Sequence, residues 1–186
     1  MNPMELLEIH DRYYERVTRF IASLVRDDWA ADDLVQEVFI KIDRHIHSLK
    51  DRTKLGPWIF KIAYHISMDY LKNKHTQLYK QSSELSNQRS GIQIEKKMEQ
   101  HQMGQCVRQK VELLPDTYRL PLILFDIEGF SHKEISGILG ITEENTKIRL
   151  HRARKELKKI LEKECSFEKD ERDVFVCLPK MKFSGR

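Results

Sequence analysis

Positively charged side chains are concentrated near the C-terminal end of the sequence. Residues 145–160 contain seven lysines and arginines and one acidic residue, a net charge of +6, whereas the whole chain carries +4. A solvated helix face usually mixes both signs at spacings of four residues. A surface of one sign favours contact with phosphates, so the expected chemistry is nucleic-acid binding.

The residue types that serve catalysis or hold metals do not form a recognisable set. His45 and His47 are two positions apart and cannot share one helix face. The three cysteines form no C-x-x-C pair, and the sequence contains neither a Glu-x-x-His motif nor a nucleotide-binding P-loop. We therefore expect no catalytic residue, no metal site and no cofactor.

The basic residues lie in a pattern of two helices joined by a tight turn. Ser131 and Glu134 predict a capping box at the start of the first helix, and Gly140 can adopt the left-handed conformation that ends it. Thr142 suits the N-cap of the second helix, whose inward face would be formed by Thr146, Leu150, Ala153 and Leu157. This helix-turn-helix layout offers the second helix to a DNA major groove. An ordinary helical hairpin with a basic surface is the alternative.

Seven residues at the other faces of the second helix form the candidate set for duplex DNA. Arginine and lysine can bind guanine, asparagine can bind adenine, and an exposed isoleucine can contact a thymine methyl group. The more C-terminal cations are expected at phosphates. The set is Asn145, Lys147, Ile148, Arg149, Arg152, Arg154 and Lys155.

Composition and apolar spacing predict an all-α protein of two small helical domains joined by a flexible linker. The 186 residues include only 7 Gly and 5 Pro, too few for the turns of a β-sandwich or barrel. Apolar residues recur at steps of three and four, but the segment 75–93 is polar. No run is long enough to span a bilayer and no secretion signal is present, so we expect a cytoplasmic protein without membrane insertion. The predicted parts are a domain at 1–74, the linker at 75–93, a helix-turn-helix domain at 94–163 and an extension at 164–186.

Two groups of motifs resemble the ECF-type bacterial sigma factors of the sigma-70 superfamily. In the C-terminal half they are LPDTYR at 114–119, DIEGFS at 126–131, GI at 140–141 and RLHRAR at 149–154. In the N-terminal half, residues 32–39 (DDLVQEVF) resemble the core-polymerase-binding helix of the family, and WIFKIA at 58–63 with DYLK at 69–72 resemble its promoter-melting helix. The resemblance implies a region 2 domain and a region 4 domain in a factor that is not an enzyme. Such a factor binds RNA polymerase core, selects promoter DNA and helps to open it.

One face of the second predicted helix has the composition of a protein interface. Leu34, Val38 and Ile42 are expected to face inward. The other face is acidic and polar around one apolar anchor, and it consists of Asp33, Gln36, Glu37 and Ile40. By resemblance its partner is the basic coiled coil formed by the β′ clamp helices of the polymerase, and region 4 would contact the β flap. A plain solvated acidic face is the alternative.

Aromatic and basic residues alternate on the third predicted helix and at its entrance. Stacking rings together with a positive groove bind single-stranded DNA. The candidates are Lys54, Trp58, Lys61, Tyr64, His65 and Lys72. By resemblance they bind the minus-ten element together with the loop at 50–55. His65 stands where family members often carry asparagine, and the alternative for Trp58 is a place in the core.

Three further points follow from the sequence or the resemblance. A response regulator or quorum-type regulator could carry the same DNA-binding hairpin, but it would need a sheet-containing domain in front of it. Many relatives are held inactive by an anti-sigma factor, and whether this chain has one stays open. For the extension, with Cys165 and Cys177, we consider two hypotheses: a segment that masks a binding surface or senses thiol-reactive compounds or metals, and a disordered tail.

Overall fold

The computed structural model describes residues 3–80, 107–169 and 175–179. Seven helices are present in these residues: α1 (Pro3–Val25), α2 (Asp28–His45), α3 (Leu55–Lys80), α4 (described over 107–111), α5 (Asp116–Leu122), α6 (His132–Leu139) and α7 (Glu143–Glu164). Two 3-10 turns, Ile46–Ser48 and Arg52–Lys54, connect α2 to α3, and a π-helical segment, Ile123–Ile127, follows α5. The two helical domains predicted from the sequence are confirmed. Most of the predicted linker, from residue 81, lies outside the described residues, as does the helical pattern at 94–106.

The C-terminal extension contains two strands that sequence analysis did not predict. Strand β1 (Cys165–Lys169) pairs antiparallel with β2 (Phe175–Pro179), with Cys165 opposite Pro179 and Phe167 opposite Cys177. Each strand has five residues, and so short a run gives too few alternations for a period-2 pattern to stand out. In this register Cys165 and Cys177 are not opposite each other, because the partner of Cys177 lies two residues after Cys165 on β1.

The first of two compact units contains α1, α2 and α3 together with residues 123–146. Its core includes Val17, Phe20 and Ile21 of α1, Val35, Val38 and Ile42 of α2, and Ile59, Phe60 and Ala63 of α3. The rings of Phe20 and Phe60 are 5.1 Å apart. Apolar residues at helical spacing therefore face one shared core, which is the main source of the stability of this unit.

The segment 123–146 packs into this core through an aromatic ring and a buried ion pair. The Phe130 ring lies edge-on to Phe60 at 5.0 Å, and a Cβ added to Gly56 would be 3.3 Å from Phe130. The Nε of Arg16 donates to Oε2 of Glu128 at 2.7 Å, and only 3% of the Glu128 side chain is exposed. Because an unpaired buried carboxylate is strongly unfavourable, the bond from Arg16 allows Glu128 to be buried in this packing.

Pro121 lies inside α5, and the helix widens directly after it. The sequence predicts one helix over 116–127 that Pro121 either kinks or forces to start later. Instead, α5 begins at Asp116, includes the buried Pro121, and passes into the π-helical segment at Ile123. The N–H of Glu128 donates to the carbonyl of Ile123 at 3.0 Å, so a wider turn accommodates the proline without ending the helical path.

In the second unit, a fully buried arginine joins the turn at 112–116 to α5. Arg119 is 0% exposed. One of its terminal nitrogens donates to the carbonyls of Glu112 and Leu114, at 3.3 and 3.4 Å, and the other bonds Asp116 at 2.7 Å. Arg119 is therefore a structural residue of the LPDTYR segment.

Helix α3 continues six residues beyond its predicted end. The apolar pattern predicts an end near residue 74, but the helix continues to Lys80. Residues 75–80 contain no glycine or proline, and the hydroxyl of Thr76 donates to the carbonyl of Lys72 at 2.9 Å. Propensity and local hydrogen bonds therefore extend the helix beyond its apolar stripe.

Candidate nucleic-acid and polymerase interfaces

Local caps fix both ends of α6 and the start of α7. The backbone N–H of Ser131 donates to Glu134 at 2.9 Å, and that of Glu134 donates to the Ser131 hydroxyl at 3.3 Å. The hydroxyl of Ser131 also donates to the Glu134 carboxylate, at 2.7 Å. The bonds from the N–H and the hydroxyl of Ser131 hold the pKa of Glu134 below its usual value. Gly140 has a φ of 67°, which ends α6, and the N–H of Asn145 donates to the Thr142 hydroxyl at 3.1 Å. The predicted capping box, left-handed glycine and N-cap are all present.

Helix α7 buries one face and exposes most of the candidate set for duplex DNA. Thr146, Leu150 and Ala153 are buried, and Leu157 is half-buried. Exposed members of the candidate set are Lys147, Ile148, Arg152, Arg154 and Lys155, whereas Asn145 and Arg149 are half-buried. The spacing of Ile148, Arg152 and Lys155 places them along one strip opposite the buried face.

An open groove of about 370 Å³ lies beside α3 and brings three of the candidates for single-stranded DNA together. Trp58, Lys61 and His65 line this groove with Lys41 and Ile62. Sequence analysis missed Lys41 because only the packing of α2 on α3 places it there. The groove combines an indole, an imidazole and two ammonium groups, which can stack on a base and bind its phosphates.

The other three candidates do not line this groove. Tyr64 is half-buried, with its ring 5.8 Å from that of His65. Lys72 is exposed, 3.8 Å from Asp69. Lys54, in the 3-10 turn before α3, has its ammonium 3.9 Å from the carboxylate of Glu134.

The orientation of His65 and the shape of the loop at 50–55 are fixed by local hydrogen bonds. The Nδ1 of His65 lies 2.7 Å from the carbonyl of Lys61. Because a carbonyl oxygen only accepts, Nδ1 carries the proton, and Nε2 is an acceptor in the neutral ring. Asp51 accepts from the hydroxyl and the N–H of Thr53 at 2.6 and 2.9 Å. These bonds lower the pKa of Asp51, so the loop keeps an ionised carboxylate at its centre.

Helix α2 separates buried apolar residues from an exposed acidic face. Leu34, Val38 and Ile42 are buried, as predicted. The four candidates for polymerase binding, Asp33, Gln36, Glu37 and Ile40, are all exposed. Ile40 is 51% exposed, an apolar side chain one helical turn after Gln36 and Glu37. Such a composition is typical of a protein interface.

Within 3–80, 107–169 and 175–179, no three His, Cys, Asp or Glu side chains are grouped so that they could hold a metal ion. Cys165 is a cysteine without a disulfide bond among these residues, and its side chain is buried. In the same part of the chain, no helix has the length and apolar character that crossing a membrane requires.

Comparison with known proteins identifies both helical parts. The family Sigma-70 region 2 matches residues 9–76, and the family Sigma-70, region 4 matches residues 104–157. The chain is 34% identical to the ECF RNA polymerase sigma factor SigM of Bacillus subtilis over 155 residues, which cover 83% of this chain and 94% of SigM. It is 32% identical to the RNA polymerase sigma factor SigZ of the same organism over 174 residues, 90% of this chain and 93% of SigZ.

A solved structure agrees in fold. The sigma factor RpoE of Bartonella quintana, crystallised with the anti-sigma factor NepR, matches with a TM-score of 0.72 at 20% identity, covering 85% of this chain and 97% of RpoE. Both family matches and the identity to SigM lead to the same assignment. The chain belongs to the ECF RNA polymerase sigma factors of the sigma-70 family, the non-catalytic initiation factors that direct RNA polymerase to promoters.

Proposed function

We propose that three surfaces of this sigma factor each bind a different partner during initiation. The exposed face of α2 (Asp33, Gln36, Glu37 and Ile40) binds the β′ clamp helices. The groove beside α3, together with Tyr64, Lys54 and Lys72, binds the unpaired minus-ten strand. The candidate set on α7 binds the minus-thirty-five duplex, where Ile148 and Arg149 contact bases and Arg154 and Lys155 contact phosphates.

The main support for this proposal is that the exposed face of α2 and the candidate set on α7 have opposite charges. Every charged residue from Asp28 to Glu37 is acidic, whereas residues 145–160 have a net charge of +6. DNA phosphates attract the second surface and repel the first. One chain with both surfaces is suited to hold a basic protein partner and DNA at the same time.

The domain boundaries and remaining partners belong to the same proposal. We assign region 2 to 1–74, the linker to 75–93, region 4 to 94–163 and an extension to 164–186, and we expect region 4 to contact the β flap. RpoE was crystallised with an anti-sigma factor, and CnrH with the cytosolic domain of CnrY. The proposal therefore includes an anti-sigma factor as a further partner. Because RNA polymerase works in the cytoplasm, this chain acts there too.

Run-off transcription tests the proposal. Core polymerase alone should give no specific transcript from a promoter library, and addition of this chain should produce transcripts from a subset that shares minus-ten and minus-thirty-five elements. Core binding without any promoter-specific transcript would contradict the assignment of the DNA surfaces. Absence of core binding would contradict the proposal for α2.

A further inference from the structure

An exposed tryptophan lies in the first turn of α2, outside the set of residues that the family motifs indicate. Trp29 is 87% exposed, the highest value among the large hydrophobic side chains that the structure exposes. Tryptophan combines a large apolar area with few rotatable bonds, and it is enriched where proteins bind one another. An indole with this exposed fraction is therefore unusual for a side chain that only stabilises the fold.

Helical spacing places Trp29 on the same face as the proposed polymerase contacts. Trp29, Asp33, Gln36 and Ile40 follow one another at steps of four, three and four, which puts them in one line along the helix. At 1.5 Å per residue the line is about 16 Å long. Trp29 and Ile40 form its two ends, and Asp33 and Gln36 lie between them. The face therefore has two apolar anchors, one at each end.

The backbone that carries Trp29 is held in place. Asp27 caps α2 by accepting from the N–H of Ala30 at 3.3 Å, and its other carboxylate oxygen accepts from the ammonium of Lys74 on α3 at 3.0 Å. The bond from Lys74 is the main reason why the pKa of Asp27 is lowered, and the same bond raises the pKa of Lys74. The first turn of α2 is thus fixed to α3, so that Trp29 is pre-positioned and loses little backbone freedom on binding.

The charges around Trp29 select the class of partner. Asp28, Asp32 and Asp33 are its exposed charged neighbours on α2, and no basic residue lies between Asp28 and Glu37. Two cations lie beside the start of the helix, the exposed Arg26 and Lys74, which is paired with Asp27. The negative charge is therefore concentrated on the side of Trp29 toward Asp33. This surface repels DNA and attracts a basic protein surface, where an arginine can also stack on the indole. We propose that Trp29 is a second apolar anchor of the polymerase interface. It contacts the basic β′ clamp surface beside the part that Asp33, Gln36 and Glu37 bind. The inference rests on the proposed function of α2.

Affinity for core polymerase tests the role of Trp29 in the full-length chain. Trp29→Ala should weaken binding by at least about fivefold, as truncation of an interface anchor does, and Trp29→Lys should weaken it further through repulsion. Trp29→Phe should retain most of the affinity. Leu7→Ala is the matched control, since Leu7 is 60% exposed on α1, and it should stay within about twofold of the parent.

Fluorine NMR gives an independent measurement. The chain has two tryptophans, so 5-fluorotryptophan labelling gives two resonances, which Trp58→Phe assigns. The Trp29 resonance should shift or broaden when core polymerase is added, and the Glu37→Lys variant should suppress this change.

The outcomes separate this inference from the proposed function. If Glu37→Lys abolishes core binding but Trp29→Ala binds within about twofold of the parent, the role of Trp29 is refuted and that of α2 stands. A Trp29→Ala defect in promoter DNA binding or self-association, with core affinity unchanged, also refutes it. If the parent chain does not bind core polymerase at all, the proposed function itself fails.

Discussion

Single residues in region 4 illustrate two different kinds of role. Arg119 is fully buried and bonds backbone carbonyls, whereas Arg149 is half-buried on α7 and belongs to the candidate set for duplex DNA. Sequence analysis assigned Arg149 from the position of the predicted helix. It could not assign burial to Arg119, because the carbonyls that Arg119 bonds are brought together only by the turn at 112–116.

Replacing Arg119 should destabilise the fold. We expect Arg119→Ala to lower the free energy of unfolding by about 2–4 kcal/mol, since buried carbonyls lose their donor and a cavity remains. Urea denaturation measures the change. Arg108→Ala, at an exposed position of α4, is the control and should change it by less than about 0.5 kcal/mol. Equal effects of the two substitutions would show that the bonds of Arg119 contribute nothing.

Replacing Arg149 should affect promoter selection. If Arg149 contacts a base, Arg149→Ala costs about 1–3 kcal/mol of binding on the specific promoter and relaxes preference at one position. Electrophoretic mobility shifts with single-base promoter variants measure both effects. The comparison is Arg154→Ala, which removes a proposed phosphate contact and should weaken binding to all sequences alike. A uniform loss for Arg149→Ala would reassign Arg149 to the DNA backbone.

At the scale of elements, local signals in the sequence predicted helix starts and turns well. The capping box at Ser131, the left-handed Gly140 and the cap at Thr142 depend on neighbours within three residues, and all were predicted. The end of α3, the π-helical segment and the β1–β2 hairpin were not. The end of α3 depends on helix propensity beyond the apolar stripe. The π-helical segment depends on how the chain accommodates Pro121, and the hairpin strands are too short to show a period.

The acidic face of α2 predicts that reversing the charge of one of its residues weakens polymerase binding. Glu37→Lys should weaken binding to core polymerase by at least about tenfold, because it opposes a like charge to a basic partner across an interface. The fold should be unaffected, since Glu37 is exposed. Glu8→Lys makes the same charge change at an exposed position of α1 and is expected to bind normally. Affinity measurements at two salt concentrations separate this contact from long-range steering.

The cap of α6 predicts a pH dependence of stability. Bonds from Ser131 lower the pKa of Glu134 from its usual 4.5. The ionised carboxylate therefore stabilises the folded state above pH 4.5, and this contribution is lost as the pH falls through the lowered pKa. Thermal unfolding between about pH 6 and pH 3 should show a smaller loss of stability for Glu134→Gln than for the parent. Ser131→Ala should flatten the profile in the same way, and a profile unchanged in both variants would contradict the cap's role.

At the scale of the whole molecule, the association of residues 123–146 with α1 and α3 could not be predicted from the sequence. Arg16 and Glu128 are 112 positions apart, and no local pattern links them. Composition and motif order were sufficient for the all-helical fold and its two domains. They could not show that the aromatic core of the N-terminal helices includes Phe130.

A double-mutant cycle tests this long-range contact. Arg16→Met leaves the buried Glu128 carboxylate without its cation and should lower the free energy of unfolding by about 3 kcal/mol. Combining it with Glu128→Leu should recover most of that loss, because two apolar side chains replace the pair. Chemical denaturation of the parent, both single variants and the double variant measures the coupling. Strictly additive effects would show that the two side chains do not interact.

The contact between Lys54 and Glu134 has a consequence for the salt dependence of promoter binding. A lysine that is free in solution releases a condensed counterion from DNA when it meets a phosphate, and each such release steepens the dependence of affinity on salt. The carboxylate of Glu134 already lies 3.9 Å from the ammonium of Lys54, so a phosphate that bound Lys54 would exchange one anion for another. Neutralising Glu134 should therefore raise promoter affinity most in dilute buffer and least in concentrated salt.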